Sequence, residues 1–275
     1  MAEQSEPVVE FQSVNSRFGN QWALHDVSFG LRAGETRIIL GAAGSGKTTL
    51  LKAAIGLVQP DSGTISLFGE KVTNRKERDL FALRTKAGVL FQEGGLFDSL
   101  TVRENVEYPL VNQQTAERLP SDEVERRVRE ALRFVELEQT LDQFPSELSG
   151  GMRRRVGIAR AIVTEPPLVL YDSPTAGLDP ITANTIMALI AKERDVRRTA
   201  SLIVTHRFQD GELMANFRYN PENEELVPVE ELEHADPAKA RTKFFVMQDG
   251  EIVFTGTLEQ LEETTDPYVK RFGKH

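Results

Sequence analysis

Short apolar runs alternate with longer stretches of helical spacing along this chain. Val8 to Val14 and Trp22 to Leu31, rich in Val, Phe and Leu, predict two strands joined by the turn pair Gly19-Asn20. The apolar run Thr36 to Leu40 enters a glycine-rich stretch, after which Lys47 to Leu57 takes helical spacing. Asp61-Ser62-Gly63 turns the chain into a strand from Thr64 to Phe68, and Ala87 to Phe91 reads as a buried strand ending at Gln92. From Thr101 to Arg160 the strand rhythm stops and helical patterns take over. Ser121 to Leu137 is the clearest, with a Ser-Asp-Glu start and Val124, Val128, Leu132 and Val135 on one face. Strands resume at Leu168 to Tyr171 and Ser201 to Thr205. Asn216 to Thr242 is acidic and contains proline, and no periodicity commits it to one structure. Phe244 to Met247 and Glu251 to Phe254, around Asp249-Gly250, predict a hairpin, and Leu258 to Phe272 a helical tail. Strands and helices alternating in this way predict an α/β fold with a largely parallel sheet and a helical insertion.

The chain has 275 residues, enough for one large domain or two modest ones. A formal net charge of -9 leaves no electrostatic footprint for nucleic acid, so no nucleic-acid partner is expected. No apolar run approaches the roughly 18 residues that a membrane-spanning helix needs, so any membrane role is expected to come through a partner. The polar start Met1-Ala2-Glu3-Gln4-Ser5-Glu6 argues against a secretory signal. The absence of cysteine excludes disulfides and Cys-ligated metals and fits a cytoplasmic setting.

Three patterns carry chemistry. Gly41-Ala42-Ala43-Gly44-Ser45-Gly46-Lys47-Thr48, followed by Thr49, lies between a strand and a helix and matches the Walker A phosphate loop. Its glycines let backbone amides fold around phosphates, Lys47 places a charge near them, and the Thr48 hydroxyl can ligate Mg²⁺. Leu168-Val169-Leu170-Tyr171-Asp172 is an apolar strand ending in a carboxylate, the Walker B pattern, with Asp172 as the second magnesium group. Downstream of the phosphate loop, Leu148-Ser149-Gly150-Gly151-Met152 opens an Arg-rich helix from Met152 to Ile162. A helix N-terminus is an anion site, and two successive glycines allow close approach.

Two phosphate-binding patterns of this kind in one chain resemble the ATP-binding cassette (ABC) ATPases, and the matching motifs run from Phe18 to His206. The resemblance implies a P-loop NTPase fold of the α/β class, with a largely parallel core sheet, an N-terminal antiparallel β subdomain and an inserted α-helical subdomain. It implies one ABC ATPase domain over 7–257, with the helical subdomain at about 93–162, followed by a helical tail at 258–275. The acidic insert at about 216–242 stands outside the family pattern. ATP would be held by Gly41, Ala42, Ala43, Gly44, Ser45, Gly46, Lys47, Thr48 and Thr49, and Mg²⁺ by Thr48, Gln92 and Asp172. Ser149, Gly150 and Gly151 would read the γ-phosphate held by a second copy of the chain. Pro174-Thr175-Ala176-Gly177-Leu178-Asp179 matches the D-loop, which puts Asp179 at the dimer interface. His206 matches the switch histidine on the γ-phosphate, and Gln92 the glutamine that senses the metal and the attacking water. Phe18 stands where the family stacks an aromatic on adenine, with Trp22 the weaker alternative. Most of Arg153, Arg154, Arg155 and Arg160 read as a solvated helical face.

One position departs from the family. After Asp172 the family usually has a Glu that polarises the attacking water, and here Ser173 stands. A hydroxyl accepts no proton at neutral pH unless another base activates it. Three explanations are open: slow hydrolysis supported by positioning and His206, a substitute carboxylate such as Glu93, or a change introduced to trap ATP. Retained but weakened hydrolysis is the expectation, so Lys47, Gln92, His206 and Ser173 form the candidate catalytic set.

A single set of motifs implies a head-to-tail homodimer, and the lack of a membrane segment implies a separate integral membrane permease. The ATPase would then be cytoplasmic, held on the inner membrane through that permease. Gly95-Leu96-Phe97-Asp98-Ser99-Leu100-Thr101-Val102, Glu104-Asn105-Val106, Tyr108-Pro109-Leu110, Pro180-Ile181-Thr182 and Asp266 to Phe272 resemble the ATPases paired with MCE lipid-binding proteins, the Mla type. That narrower resemblance implies phospholipid as cargo and an MCE protein as a further partner. A soluble ABC scaffold of the iron–sulfur assembly kind and an ATP-gated clamp with little turnover are the competing readings.

Overall fold

The computed structural model describes residues 6–112, 119–231 and 242–273. β1 (Val9–Phe18) and β2 (Gln21–Leu31) pair as an antiparallel hairpin that turns at Gly19, whose φ of 60° suits a residue without Cβ. β3 (Thr36–Gly41) is buried along its whole length, as expected of a strand covered on both faces. It leads through the glycine-rich loop into α1 (Lys47–Ala54), which stops short of the expected Leu57 because Gly56 turns left-handed at φ 71°. β4 (Ser62–Leu67) and β5 (Glu70–Lys71) complete an antiparallel sheet in the order β2-β1-β4-β5. A short helix with no strong apolar stripe, α2 (Glu77–Arg84), precedes β6 (Ala87–Leu90).

The helical segment follows. α3 (Val102–Val111) begins with a reciprocal cap between Thr101 and Glu104. Fully buried Asn105 on that helix donates to the carbonyls of Phe97, Leu100 and Thr101, which fixes the loop from Gln92 into the helix. α4 (Ser121–Phe134) and α5 (Gly150–Ile162) pack on α3 through Val106, Val128, Leu132 and Ile158.

The chain then returns to the sheet with β7 (Leu168–Asp172), α6 (Pro180–Arg197), β8 (Ala200–Val204) and α7 (Phe208–Asn216). β9 (Phe217–Asn220) and β10 (Glu225–Pro228) form a small hairpin, followed by β11 (Thr242–Gln248), β12 (Glu251–Gly256) and α8 (Leu258–Glu262). The core sheet has the order β12-β11-β3-β8-β7-β6 and is parallel except for the β11–β12 pair. Alternation along its strands sends side chains to opposite faces. Ile38, Leu40, Val169, Tyr171 and Ile203 join the helical segment in one core, while Ile39, Leu168, Leu170, Leu202 and Val204 join α1 and the N-terminal sheet in the other.

Three sequence expectations need correction. The tail is not one helix: α8 ends at Glu262, and a short 3₁₀ turn, Val269–Phe272, follows a break. Pro267 lies in that break, and Asp266 accepts from the amides of Tyr268 and Val269 to start the new turn. Residues 217–228 are a hairpin, held by tertiary contacts that no periodicity reveals: Arg194 donates to Phe217 O, and Asp195 accepts from Tyr219 N. The part of the expected acidic insert at 232–241 lies outside the described residues, as does the side chain of Glu93. Arg153, Arg154, Arg155 and Arg160 are not a solvated face, since Arg154 and Arg160 are buried and the other two half-buried.

Candidate functional site

The parallel order β3-β8-β7-β6 brings four loops to one edge of the sheet, the carboxyl ends where open α/β sheets bind ligands. After β3 comes the loop Gly41 to Lys47, after β8 His206, after β7 Asp172 and Ser173, and after β6 Gln92. Their register is fixed: Ile39 pairs with Val204, and Val204 with Asp172.

The loop after β3 has the geometry of a phosphate cradle. Gly44 and Gly46 have φ values of 80° and 104°, and a Cβ at Gly46 would meet Ala23 O at 2.1 Å. The first N–H groups of α1 have no acceptor within the helix. Lys47 Nζ bends over the loop and donates to Gly41 O at 2.8 Å and Ala42 O at 2.7 Å, with Ser45 Oγ at 3.3 Å. Burial lowers the pKa of its ammonium below the ordinary value, while the Asp172 carboxylate opposes that shift. Ala42, Ala43 and Thr48 are exposed at the surface of the loop, and Thr49 is half-buried in the first turn of α1.

A hydroxyl and a carboxylate converge beside this cradle: Thr48 Oγ1 faces Asp172 Oδ2 at 3.4 Å. That pair, with Lys47 adjacent, is an oxygen donor set suited to Mg²⁺ carried on phosphates. Ser173 donates its hydroxyl to the other oxygen, Asp172 Oδ1, at 3.1 Å. Its backbone is left-handed, φ 51°, and its amide donates to Val204 O at 2.9 Å.

A buried carboxylate beneath the site escaped the sequence reading. Asp210, 1% exposed on α7, accepts from Thr175 Oγ1 and from Thr205 Oγ1, each at 2.6 Å. Burial raises its pKa, and the two hydroxyls partly offset the rise. One acid thereby joins the loop after Asp172 to the strand end that carries exposed His206. The available signal was an acidic residue among the buried positions of α7, beside Phe208, Gly211 and Met214.

Both aromatic candidates line, with Lys47 and Thr48, a cleft of about 210 Å³. They differ in engagement: Trp22 is half-buried, with the Arg17 guanidinium 3.5 Å from its ring centroid and the His25 ring stacked at 4.6 Å, while Phe18 is 60% exposed.

The glycine pair is built as a helix start. Ser149 caps α5 by accepting from Met152 N at 3.2 Å, and Gly150 and Gly151 form its first turn. Gly150 and Gln92 line a different cleft, of about 470 Å³, with Arg153, Arg154 and the loop Ala176 to Leu178. No residue lines both clefts, so Gly150 and the phosphate loop face different cavities of the chain. Asp179 caps α6 through the amides of Ile181 and Thr182, and it remains exposed.

The family profile described as "ABC transporter" matches residues 24–176. The chain belongs to the ABC transporter ATP-binding family. A probable ribonucleotide transport ATP-binding protein of Mycobacterium leprae is 37% identical over 198 residues, 72% of this chain and 56% of that protein. A methionine import ATP-binding protein of Bifidobacterium longum is 35% identical over 210 residues, 74% of this chain and 51% of that protein. The chain therefore spans about half the length of these relatives. A dimeric ATP-binding cassette in a post-hydrolysis state, bound to ADP and phosphate, has a TM-score of 0.74 at 29% identity. That match covers 90% of this chain and 98% of the other. The ABC cassette thus accounts for both the α/β architecture and the ring of motifs at the sheet edge.

Proposed function

We propose that this chain is the nucleotide-binding subunit of an ABC transporter, which binds ATP with Mg²⁺ and hydrolyses it as a head-to-tail homodimer. One observation carries this reading: the phosphate loop and Gly150 at the start of α5 line separate clefts, which fits a site completed by a second copy. Lys47 and the loop amides hold the β and γ phosphates, Phe18 stacks on the adenine, and Asp179 lies at the interface. Thr48 and Asp172 would hold Mg²⁺, with Gln92 as the third donor that the family resemblance implies, and the ion would neutralise charge developing on the phosphates. His206 and Gln92 orient the γ-phosphate and the attacking water. Ser173 is a weak substitute for a carboxylate base, because a neutral hydroxyl takes up a proton only as it passes its own to another group. Hydrolysis then rests on positioning and charge, at a reduced rate.

The transporter part of the reading is supported by an apolar cleft of about 470 Å³ where β6 meets the helical segment. Phe81, Phe91, Phe97 and Tyr108 line it and are each more than 40% exposed. Exposed apolar surface of this kind fits a helix of an integral membrane partner. None of the described helices is long and apolar enough to cross a membrane, so the membrane-spanning part would be that partner. On this reading residues 7–257 form one ATPase domain, attached to the cytoplasmic face of the membrane. The finer reading of phospholipid as cargo, with an MCE protein as a further partner, rests only on the sequence resemblance of Gly95 to Val102, Glu104 to Val106, Tyr108 to Leu110, Gly177 to Thr182 and the tail Asp266 to Phe272. A clamp that holds ATP with little turnover is favoured by the Ser173–Asp172 hydrogen bond.

Size-exclusion chromatography with ATP and Mg²⁺ tests the composite site. A dimer should form with the wild type and be absent with Lys47→Ala and Gly150→Asp. A wild type that stays monomeric at saturating ATP would remove the reading.

A further inference from the structure

We propose that Arg154 is a positioning residue: it ties the start of α5 to the loop at Ser173, so that occupancy of one half-site is felt at the other. This rests on the ATPase reading above.

Arg154 lies one helical turn after Gly150, about 6 Å along α5 at 1.5 Å per residue. Its side chain is 4% exposed and directed at the loop after β7. Nη1 donates to Ser173 O at 3.2 Å and Nη2 to Ala176 O at 2.6 Å. A planar fork that spans two carbonyls fixes distance and orientation together, which a lysine ammonium on a single point cannot do.

The loop so held is unusual in its backbone. Ser173 is a non-glycine residue at φ 51°, a conformation that persists where the surroundings impose it. The surroundings are asymmetric. From the sheet side, Val204 O accepts from Ser173 N, and Asp210 accepts from Thr175 Oγ1. From the helical segment, the guanidinium of Arg154 holds the carbonyls at both ends of the turn, which the Ala176 N–H to Ser173 O bond closes.

The two ends of this link carry different chemistry. At one end, the first turn of α5 presents Gly150 and Gly151 to an anion. At the other, Ser173 follows the Asp172 carboxylate directly and hydrogen-bonds it. A shift of α5 upon a phosphate carries the guanidinium with it and moves the carbonyl of residue 173. Each chain then aligns its own Asp172–Ser173 pair when its α5 start engages the partner's nucleotide, which couples the two composite sites of the dimer. Asp210 provides the fixed counterpart, since it anchors the same loop to the strand end before His206.

The test compares full-length wild type with Arg154→Met, which keeps the stem and removes the donors, and Arg154→Lys, which keeps the charge but not the two-point fork. Hydrogen exchange at the Ala176 amide should accelerate by about tenfold in both variants, while α1 amides stay unchanged. ATP affinity and KM should remain within about twofold of the wild type, while kcat falls about tenfold and the Hill coefficient for ATP drops towards one. Unchanged exchange at Ala176 would overturn the clamp. Altered exchange with wild-type kcat and cooperativity would overturn its role in hydrolysis, and so would full recovery by Arg154→Lys, which would leave charge alone as the requirement. Should Arg154→Met not fold, the lysine variant makes the same comparison. If wild-type turnover proves independent of Lys47, the ATPase reading fails instead, and the exchange measurement still judges the clamp.

Discussion

Ser173 donates its hydroxyl to Oδ1 of Asp172 at 3.1 Å, while the Thr48 hydroxyl faces Oδ2 of the same carboxylate at 3.4 Å. Asp172 is thus flanked by two hydroxyls, one placed for the metal and the other where the ABC family usually has a carboxylate base. A serine proton directed at Asp172 makes Ser173 a partner of that carboxylate, and a neutral hydroxyl is a far weaker proton acceptor than the carboxylate it replaces.

The two glycine sites should fail in different ways. A Cβ at Gly150 meets only Leu178 Cδ2, at 3.8 Å, so Gly150→Asp should fold and bind ATP normally yet lose the ATP-dependent dimer. Gly46→Ala places its methyl within 2.1 Å of Ala23 O at a positive φ, so nucleotide binding itself should be lost. Equilibrium binding of a fluorescent ATP analogue, beside light scattering, separates the two. Equal loss of binding in both variants would show that Gly150 is part of the chain's own phosphate loop site.

Adenine recognition should depend on Phe18 and not on Trp22. Phe18→Ala should weaken ATP binding by about 1 kcal/mol, roughly the strength of one aromatic stacking contact, and leave inorganic triphosphate binding unaffected. Trp22→Phe should leave nucleotide affinity near the wild type, because Trp22 is half-buried and already stacks with Arg17 and His25. Titration calorimetry with the two ligands measures this, and the reverse order of effects would place the base on Trp22.

Glu193 makes stability depend on pH. It is fully buried on α6, with Thr199 donating to Oε1 at 3.2 Å and the Arg197 guanidinium 3.5 Å from Oε2, which accepts no hydrogen bond, and burial raises its pKa from 4.5 to about 7. Because the folded pKa is the higher one, the native state holds a proton between these values that the unfolded chain has lost. The contribution of Glu193 to stability therefore falls as pH rises from 4.5 to about 7 and is constant above that. Glu193→Gln should be more stable than the wild type at pH 8, by up to the order of 3 kcal/mol, and about equal to it near pH 4.5. Thermal melts of both proteins between pH 5 and pH 8 measure the gap; a gap that does not change with pH would mean that Glu193 titrates normally.

What was legible in the chain follows from how local each signal is. The cradle from Gly41 to Thr48 is specified by consecutive residues between a strand and a helix, and the structure places it there. The same holds for Asp172 at the end of an apolar strand and Ser149 at a helix start. Arg154 and Asp210 were not legible as site residues, because their roles depend on distant partners, the carbonyl of Ser173 19 positions from Arg154 and the hydroxyl of Thr175 35 positions from Asp210. A run of arginines suggests a solvated face until the fold supplies buried acceptors. The β9–β10 hairpin likewise depends on Arg194 and Asp195 of α6, and its own alternation, Phe217 and Tyr219 against Arg218 and Asn220, is only four residues long. The break in the tail had a local signal in Asp266-Pro267, outweighed by the helical spacing on either side of it.

The central claim is tested most directly by steady-state ATP hydrolysis of the wild type beside Ser173→Glu and Lys47→Ala. The account predicts slow turnover that Lys47→Ala abolishes and that Ser173→Glu raises at least about tenfold, the lower range of what a positioned general base contributes. Wild-type turnover that survives Lys47→Ala, or that Ser173→Glu leaves unchanged, would contradict it.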